Sequence, residues 1–175
     1  KGALYHHFTT KNDLGLAALE YAAAQFSEFL DDALEGRSGL AALESLFDAA
    51  VDVHRRRGFV GGCPFGNLAL EMADSDPRYT RTLLRVFDTW ISRIGDVVVE
   101  GQQAGEMRTD IPPARLARLI VAALEGGIMM SRLSKDDRPM SDCAESLRTM
   151  LATASSETGR SSAASGVTRH GRPLA

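Results

Sequence analysis

Apolar residues recur every three or four positions through most of this chain, which is the spacing of amphipathic helices, and no stretch has convincing strand alternation. Leu4 and Phe8 are four apart, so a short opening helix stacks them on one buried face and turns Tyr5, His6 and His7 elsewhere. Thr10-Lys11-Asn12-Asp13 resembles a capping box, in which the threonine hydroxyl and an acid three residues on satisfy each other's backbone amides. A helix should therefore begin near residue 11 and continue through Leu16, Leu19, Ala23, Phe26, Leu30 and Leu34. Gly36 and Ser38-Gly39 end it and open the next, which spans about 40 to 57 with Leu40, Leu43, Phe47, Ala50, Val51 and His54 on one stripe.

The segment Gly58 to Gly66 holds four glycines and a proline, so it must be a loop, and its apolar residues suggest that it folds inward. A helix from about 65 to 74 follows, carrying Leu68, Leu70 and Met72. Asp76-Pro77 supplies an N-cap and a first-turn proline for the longest helix, about 77 to 104, with Leu83, Phe87, Trp90, Ile91, Ile94, Val97 and Val98 as its stripe. Gly105 stops it. Asp110-Ile111-Pro112-Pro113 starts another helix, in which Gly126-Gly127 costs about 1 kcal/mol per glycine relative to Ala. That cost is tolerable if a backbone or a ligand must come close there. Residues 134 to 138 form a polar turn, and a last helix covers about 139 to 153.

Beyond Ser155 the chain turns to Ser, Gly, Thr, Ala and Arg, and 154–175 reads as a disordered tail. Its three arginines against Glu157 leave it a net charge of +2. Over all 175 residues, 44% hydrophobic and 25% charged content is that of a globular protein able to bury a core. The net charge of -3 excludes nucleic-acid binding over the whole surface but permits a basic tip on an acidic body. Lys1, Lys11 and the neighbouring histidines, with Asp13 the only acid among the first 13 residues, form such a tip.

The two cysteines, Cys63 and Cys143, lie 80 positions apart with no ligand spacing around them, so neither a disulfide framework nor a metal site is signalled. No run of about 18 apolar residues and no basic-then-apolar leader is present, and the reading is a cytoplasmic protein with no membrane partner and no cofactor. Cys63 with His54 as base would be the only candidate for thiol chemistry, yet nothing supplies an orienting acid or an oxyanion hole. A pocket between helices is the better reading. Its candidates are Phe59, Cys63, Phe65, Leu68, Met72, Phe87, Trp90, Ile91, Ala123 and Met130, with His54, Asn67, Glu71 and Glu125 as polar handles. For each residue alone, core packing is the plainer account; bordered by a glycine-rich loop and a Gly-Gly helix, the set favours a cavity.

The segment from Gly2 to Leu14 resembles the end of the helix-turn-helix of tetracycline-repressor (TetR/AcrR) regulators, in which Leu-Tyr-x-His-Phe precedes a Lys-x-x-Leu that opens the fourth helix. Gly62-Cys63-Pro64-Phe65-Gly66-Asn67-Leu68, Ala73 to Pro77 and Ala123-Leu124-Glu125-Gly126-Gly127 are similar to segments of that family's ligand-binding domains. The resemblance implies an all-α chain: the remnant of a helix-turn-helix DNA-binding domain over 1–34, a helical-bundle ligand-binding and dimerisation domain over 38–153, then the tail. It implies that Lys1, Gly2, Ala3, Tyr5 and His6 face the major groove and that Tyr5, His7 and Lys11 hold phosphates. It further implies a homodimer through the last two long helices, with Leu116, Ile120, Leu124, Gly127, Leu147, Met150 and Leu151 at the interface.

The expectation is a ligand-responsive regulator, most simply a repressor released from its double-stranded DNA operator by a small apolar or amphipathic effector. The first two helices of the motif should precede Lys1, so the sequence reads as a fragment that binds DNA poorly on its own. The alternatives are a helical sensor or carrier domain with no DNA role and, behind it, a cysteine-dependent enzyme.

Overall fold

A computed structural model describes residues 8–153. The readings made for Lys1, Gly2, Ala3, Leu4, Tyr5, His6 and His7, and for the tail from residue 154, lie outside the described residues. Within them the chain is helical throughout: α1 (Lys11–Leu34), α2 (Gly39–Arg56), α3 (Pro64–Met72), α4 (Pro77–Gln103), α5 (Pro113–Ser134) and α6 (Arg138–Leu151). Among the described residues there is no strand, only an isolated bridge between Met107 and Ala152.

The local signals act where the sequence puts them. The Asp13 amide donates to Thr10 Oγ1 at 3.1 Å and the Thr10 amide to Asp13 Oδ2 at 3.0 Å, which completes the capping box of α1. Asp76 accepts from the Arg78 amide at 2.9 Å, and Pro77 takes the first turn of α4, where its missing N–H costs nothing. α4 is the mast of the fold, since α1, α2, α3 and α5 all pack on it while α6 leans on α5 and α2. Leu43, Phe47, Ile94, Val98, Leu116, Ile120 and Leu147 fill the main core between α2, α4, α5 and α6. A smaller core of Leu19, Phe65, Tyr79, Leu83 and Val86 ties α1 and α3 to α4.

The two glycines of α5 have different surroundings. A Cβ on Gly127 would lie 3.2 Å from the Met140 Cα, so α5 and α6 touch backbone to backbone there, whereas a Cβ on Gly126 would meet nothing within 4 Å. One turn on, the buried Ser131 Oγ accepts from the Met140 amide at 3.1 Å and holds the start of α6.

Two readings of helix faces change. Leu70 was expected with the packing residues of α3 and is 90% exposed. Leu116, Ile120, Leu124, Gly127, Leu147 and Leu151, expected at a dimer interface, are buried within this chain. Of that set only Met150 lies at the surface, at 52% exposure. The most apolar stripe of a two-faced helix goes to its own core, and a partner can meet only the opposite face.

The glycine pair separates propensity from packing. Gly126→Ala should stabilise the fold by up to about 1 kcal/mol through helix propensity. Gly127→Val should destabilise it by about 1–3 kcal/mol through overpacking against α6. Urea unfolding of the two variants beside the parent reads both signs.

Candidate functional site

Helix α1 crosses α4 with an aromatic contact at its middle. The Phe26 ring meets Trp90 edge-on at 5.1 Å between centroids and Phe65 at 5.2 Å, and stacks on Phe29 at 6.1 Å. Beside these rings lies a cavity of about 380 Å³, walled by α1, α2, the loop before α3, α4 and α5. Its size and its largely apolar wall, with a few polar groups, suit a small organic molecule.

The loop closes one end of the cavity by means of left-handed backbone. Gly58, Gly61 and Gly62 have φ of 59°, 86° and 69°, and Phe59 joins them at 55° although it has a Cβ. The Phe59 conformation is held from both sides: its amide donates to His54 O at 2.9 Å, its carbonyl accepts from Lys135 Nζ at 3.0 Å, and its ring is buried with Val51, Ile128 and Met140. Gly62 and Cys63 are thereby turned toward the cavity wall.

Three polar groups mark that wall. His54 is buried on α2; burial first, and then the positive charge of Arg57, lower its imidazole pKa, so the ring is neutral at pH 7. The Trp90 indole N–H is buried and has no hydrogen-bond partner among the described residues. The Cys63 thiol is hydrogen-bonded to Glu125, and burial together with that carboxylate pushes it up to about 12. Burial likewise raises Glu125, against the opposing pull of the Cys63 hydrogen bond. A thiol so protonated is a poor nucleophile, which argues against the thiol-enzyme alternative.

Of the residues predicted for the pocket, the cavity takes His54, Cys63, Phe65 and Trp90. Phe59 packs behind the loop, and Leu68 and Met72 join the small core under α3. Asn67 and Phe87 line a neighbouring cleft of about 330 Å³ that also holds Glu125. There Asn67 donates to Gly61 O at 2.6 Å and accepts from Arg132 at 3.0 Å. Ile91 and Ala123 are half-buried against the main core, whereas Glu71 and Met130 are exposed.

The sequence reading missed the contribution of α1: Phe26, Phe29 and Leu30 line the cavity, and so does Leu124, which had been given to the dimer interface. A signal existed. Tyr21, Gln25 and Phe29 run beside Ala22, Phe26 and Leu30 as two adjacent rows at four-residue spacing, a face wider than one packed neighbour covers.

At its other end α1 is fastened to α4. Arg78 Nη1 donates to Asp13 Oδ1 at 2.8 Å, and the Tyr79 hydroxyl donates to Asn12 O at 3.3 Å. Hydrogen bonds from Arg78 first, and then from Thr10, hold the Asp13 carboxyl below the usual carboxylate range. A Cβ on Gly15 would come 2.0 Å from the Tyr79 oxygen, so only glycine lets the phenol lie across α1. Lys11, the one predicted DNA contact among the described residues, is exposed at the first position of α1. No group of three or more His, Cys, Asp or Glu that could hold a metal ion exists among the described residues, and no helix there is long and apolar enough to cross a membrane.

Residues 39–147 match the family described as "Tetracyclin repressor-like, C-terminal domain". The chain is 34% identical over 142 residues to the transcriptional regulator AcuR of Cereibacter sphaeroides, covering 80% of this chain and 65% of that protein. It is 26% identical to the HTH-type transcriptional repressor DhaR of a Mycobacterium species, over 80% of this chain and 70% of that one. A crystal structure of the regulatory protein TetR from Rhodobacter sphaeroides superposes with a TM-score of 0.82 at 32% identity, covering 87% of this chain and 82% of that chain. A TetR transcriptional regulator from Chloroflexus aurantiacus gives 0.72 at 32% identity, covering 86% of this chain and 78% of that one.

The state of Cys63 is directly measurable. In a Cys143→Ser background at pH 7.5, iodoacetamide should modify Cys63 about a thousandfold more slowly than an ordinary exposed thiol, the ratio set by the thiolate fraction. Mass spectrometry against time reads the rate, and Glu125→Gln should accelerate it.

Proposed function

The chain belongs to the TetR family of transcriptional regulators, and from that premise we propose that it is a ligand-responsive, DNA-binding repressor in which α1 couples an effector cavity to a reading head. The family consists of regulators, not enzymes. The observation that carries the proposal is the double use of α1. Its second half lines the cavity through Phe26, Phe29 and Leu30, and its first turn, clamped to α4 by Arg78 and Tyr79, follows directly on the residues that resemble a recognition helix.

The coupling then has a simple mechanical form. A molecule entering beside Phe26 displaces the middle of α1, while Tyr79 over Gly15 holds its start, so α1 turns about that point and carries the residues before it along. Tyr5, His7 and Lys11 hold phosphates in this reading, and Lys1, Gly2, Ala3 and His6 face base edges.

A homodimer uses the outer face of α5 with part of α6. Leu119, Met129, Met130 and Leu133 fall on one side of α5, are 44%, 62%, 44% and 87% exposed, and lie opposite the buried stripe. With Met150 of α6 they replace the buried set as interface residues.

Two measurements test this function. The protein expressed from the start of its own reading frame should bind its promoter, and Lys11→Ala should weaken that binding and lower the slope of log affinity against log salt by about one unit. A ligand that releases the parent should still bind Arg78→Gln/Tyr79→Phe but change its operator affinity at least about threefold less. Affinity indifferent to Lys11 would count against the reading. For the dimer, Met129→Glu/Leu133→Glu should elute as a monomer in size exclusion with light scattering, with its helix content kept.

A further inference from the structure

We propose that the cavity takes a compact apolar molecule with an anionic head, a monocarboxylate, whose oxygens are held by Arg57 and His54. This inference rests on the reading of the cavity as an effector site and adds the chemistry of the effector. The wall sorts into two parts. The rings of Phe26, Phe29, Phe65 and Trp90 supply a broad aromatic surface, which suits a flat or short apolar body.

The polar part is made of donors. His54 is 9% exposed and offers a ring N–H at the same wall. Arg57 closes α2 and brings a permanent positive charge to the cavity margin.

No Asp or Glu lines this cavity. Glu125 accepts the Cys63 S–H and faces the neighbouring cleft, with Cys63 standing between the two spaces. The charge on the wall is therefore of one sign. An ammonium ligand would meet Arg57 with no carboxylate to receive it, and a wholly apolar ligand would gain nothing from that charge. A carboxylate is drawn to Arg57 through a charge-assisted hydrogen bond at the cavity margin.

The chain reports its own occupancy, because Trp90 is its only tryptophan. Fluorescence titration of the full chain at pH 7.5 with 3-phenylpropanoate, 3-phenylpropanamide and 3-phenylpropylammonium compares one body with three heads. The carboxylate should bind at least about tenfold more tightly than the amide, with the ammonium weakest. Arg57→Gln, at an exposed position and checked by an unchanged thermal midpoint, should bring the carboxylate to the level of the amide, and Arg57→Lys should restore part of the difference. Equal affinities, preference for the ammonium, a preference that survives Arg57→Gln, or no binding by any of the three would overturn the assignment. The outcome separates from that of the regulator reading. Operator release by neutral or cationic compounds alone would refute the anionic head and keep the regulator, whereas carboxylate binding without any change in operator affinity would do the opposite.

Discussion

The arrangement depends on the meeting of Phe26 with Trp90 and Phe65, because there α1 is joined to the body at the same place where the body is hollow. Edge-on and tilted aromatic pairs hold their partners with a directional preference that aliphatic contacts lack. Elsewhere α1 is lightly held. It buries only Leu19, Leu30 and Ala33, while α2 and α4, of comparable or greater regularity, bury eight and nine residues. A long helix with so few buried residues opens or shifts at a smaller cost than α2 or α4 would. In the proposed coupling, a ligand beside Phe26 would act on that element, against the α2–α4–α5–α6 core, which is close-packed and stiff.

Most of the fold was legible because its signals are local. The Thr10 capping box, the Asp76-Pro77 start and the glycine loop each act within a few residues of sequence, and all the helix limits fall within two residues of where those signals put them. The Gly126-Gly127 pair was legible as a place of close approach, but not which glycine made it, since that depends on the register of α6 against α5.

The site was half legible for the same physical reason. Cys63, Phe65, Trp90 and His54 are flagged by residue type and by the loop they border. Phe29 and Leu30 are ordinary apolar residues whose surroundings are decided by how far α1 stands from α2, a distance that helical periodicity does not encode. The interface stripe fails in the opposite direction. Leu116, Ile120 and Leu124 stand out because they are strongly apolar, and that property sends them into the chain's own core, leaving Leu119, Met129 and Leu133, scattered among polar residues, to face outward.

The two fastenings of α1 differ in kind, and the difference bears on how the helix moves. The Arg78–Asp13 ion pair is solvent-exposed, so water and salt screen it, and it steers the helix start more than it secures it. Tyr79 is 5% exposed, with its ring in the small core beside Leu19 and Leu83 and its hydroxyl directed across Gly15 to Asn12. A side chain in that position resists translation of α1 along α4 but leaves rotation about the crossing point open, because the space above Gly15 has no Cβ to jam it. Displacement at Phe26 is eleven residues further along the helix, about 16 Å at 1.5 Å per residue, so a shift of a few tenths of an ångström there turns the helix by only about a degree. In the proposed coupling, a useful change before residue 11 therefore needs a ligand large enough to move Phe26 by an ångström or more.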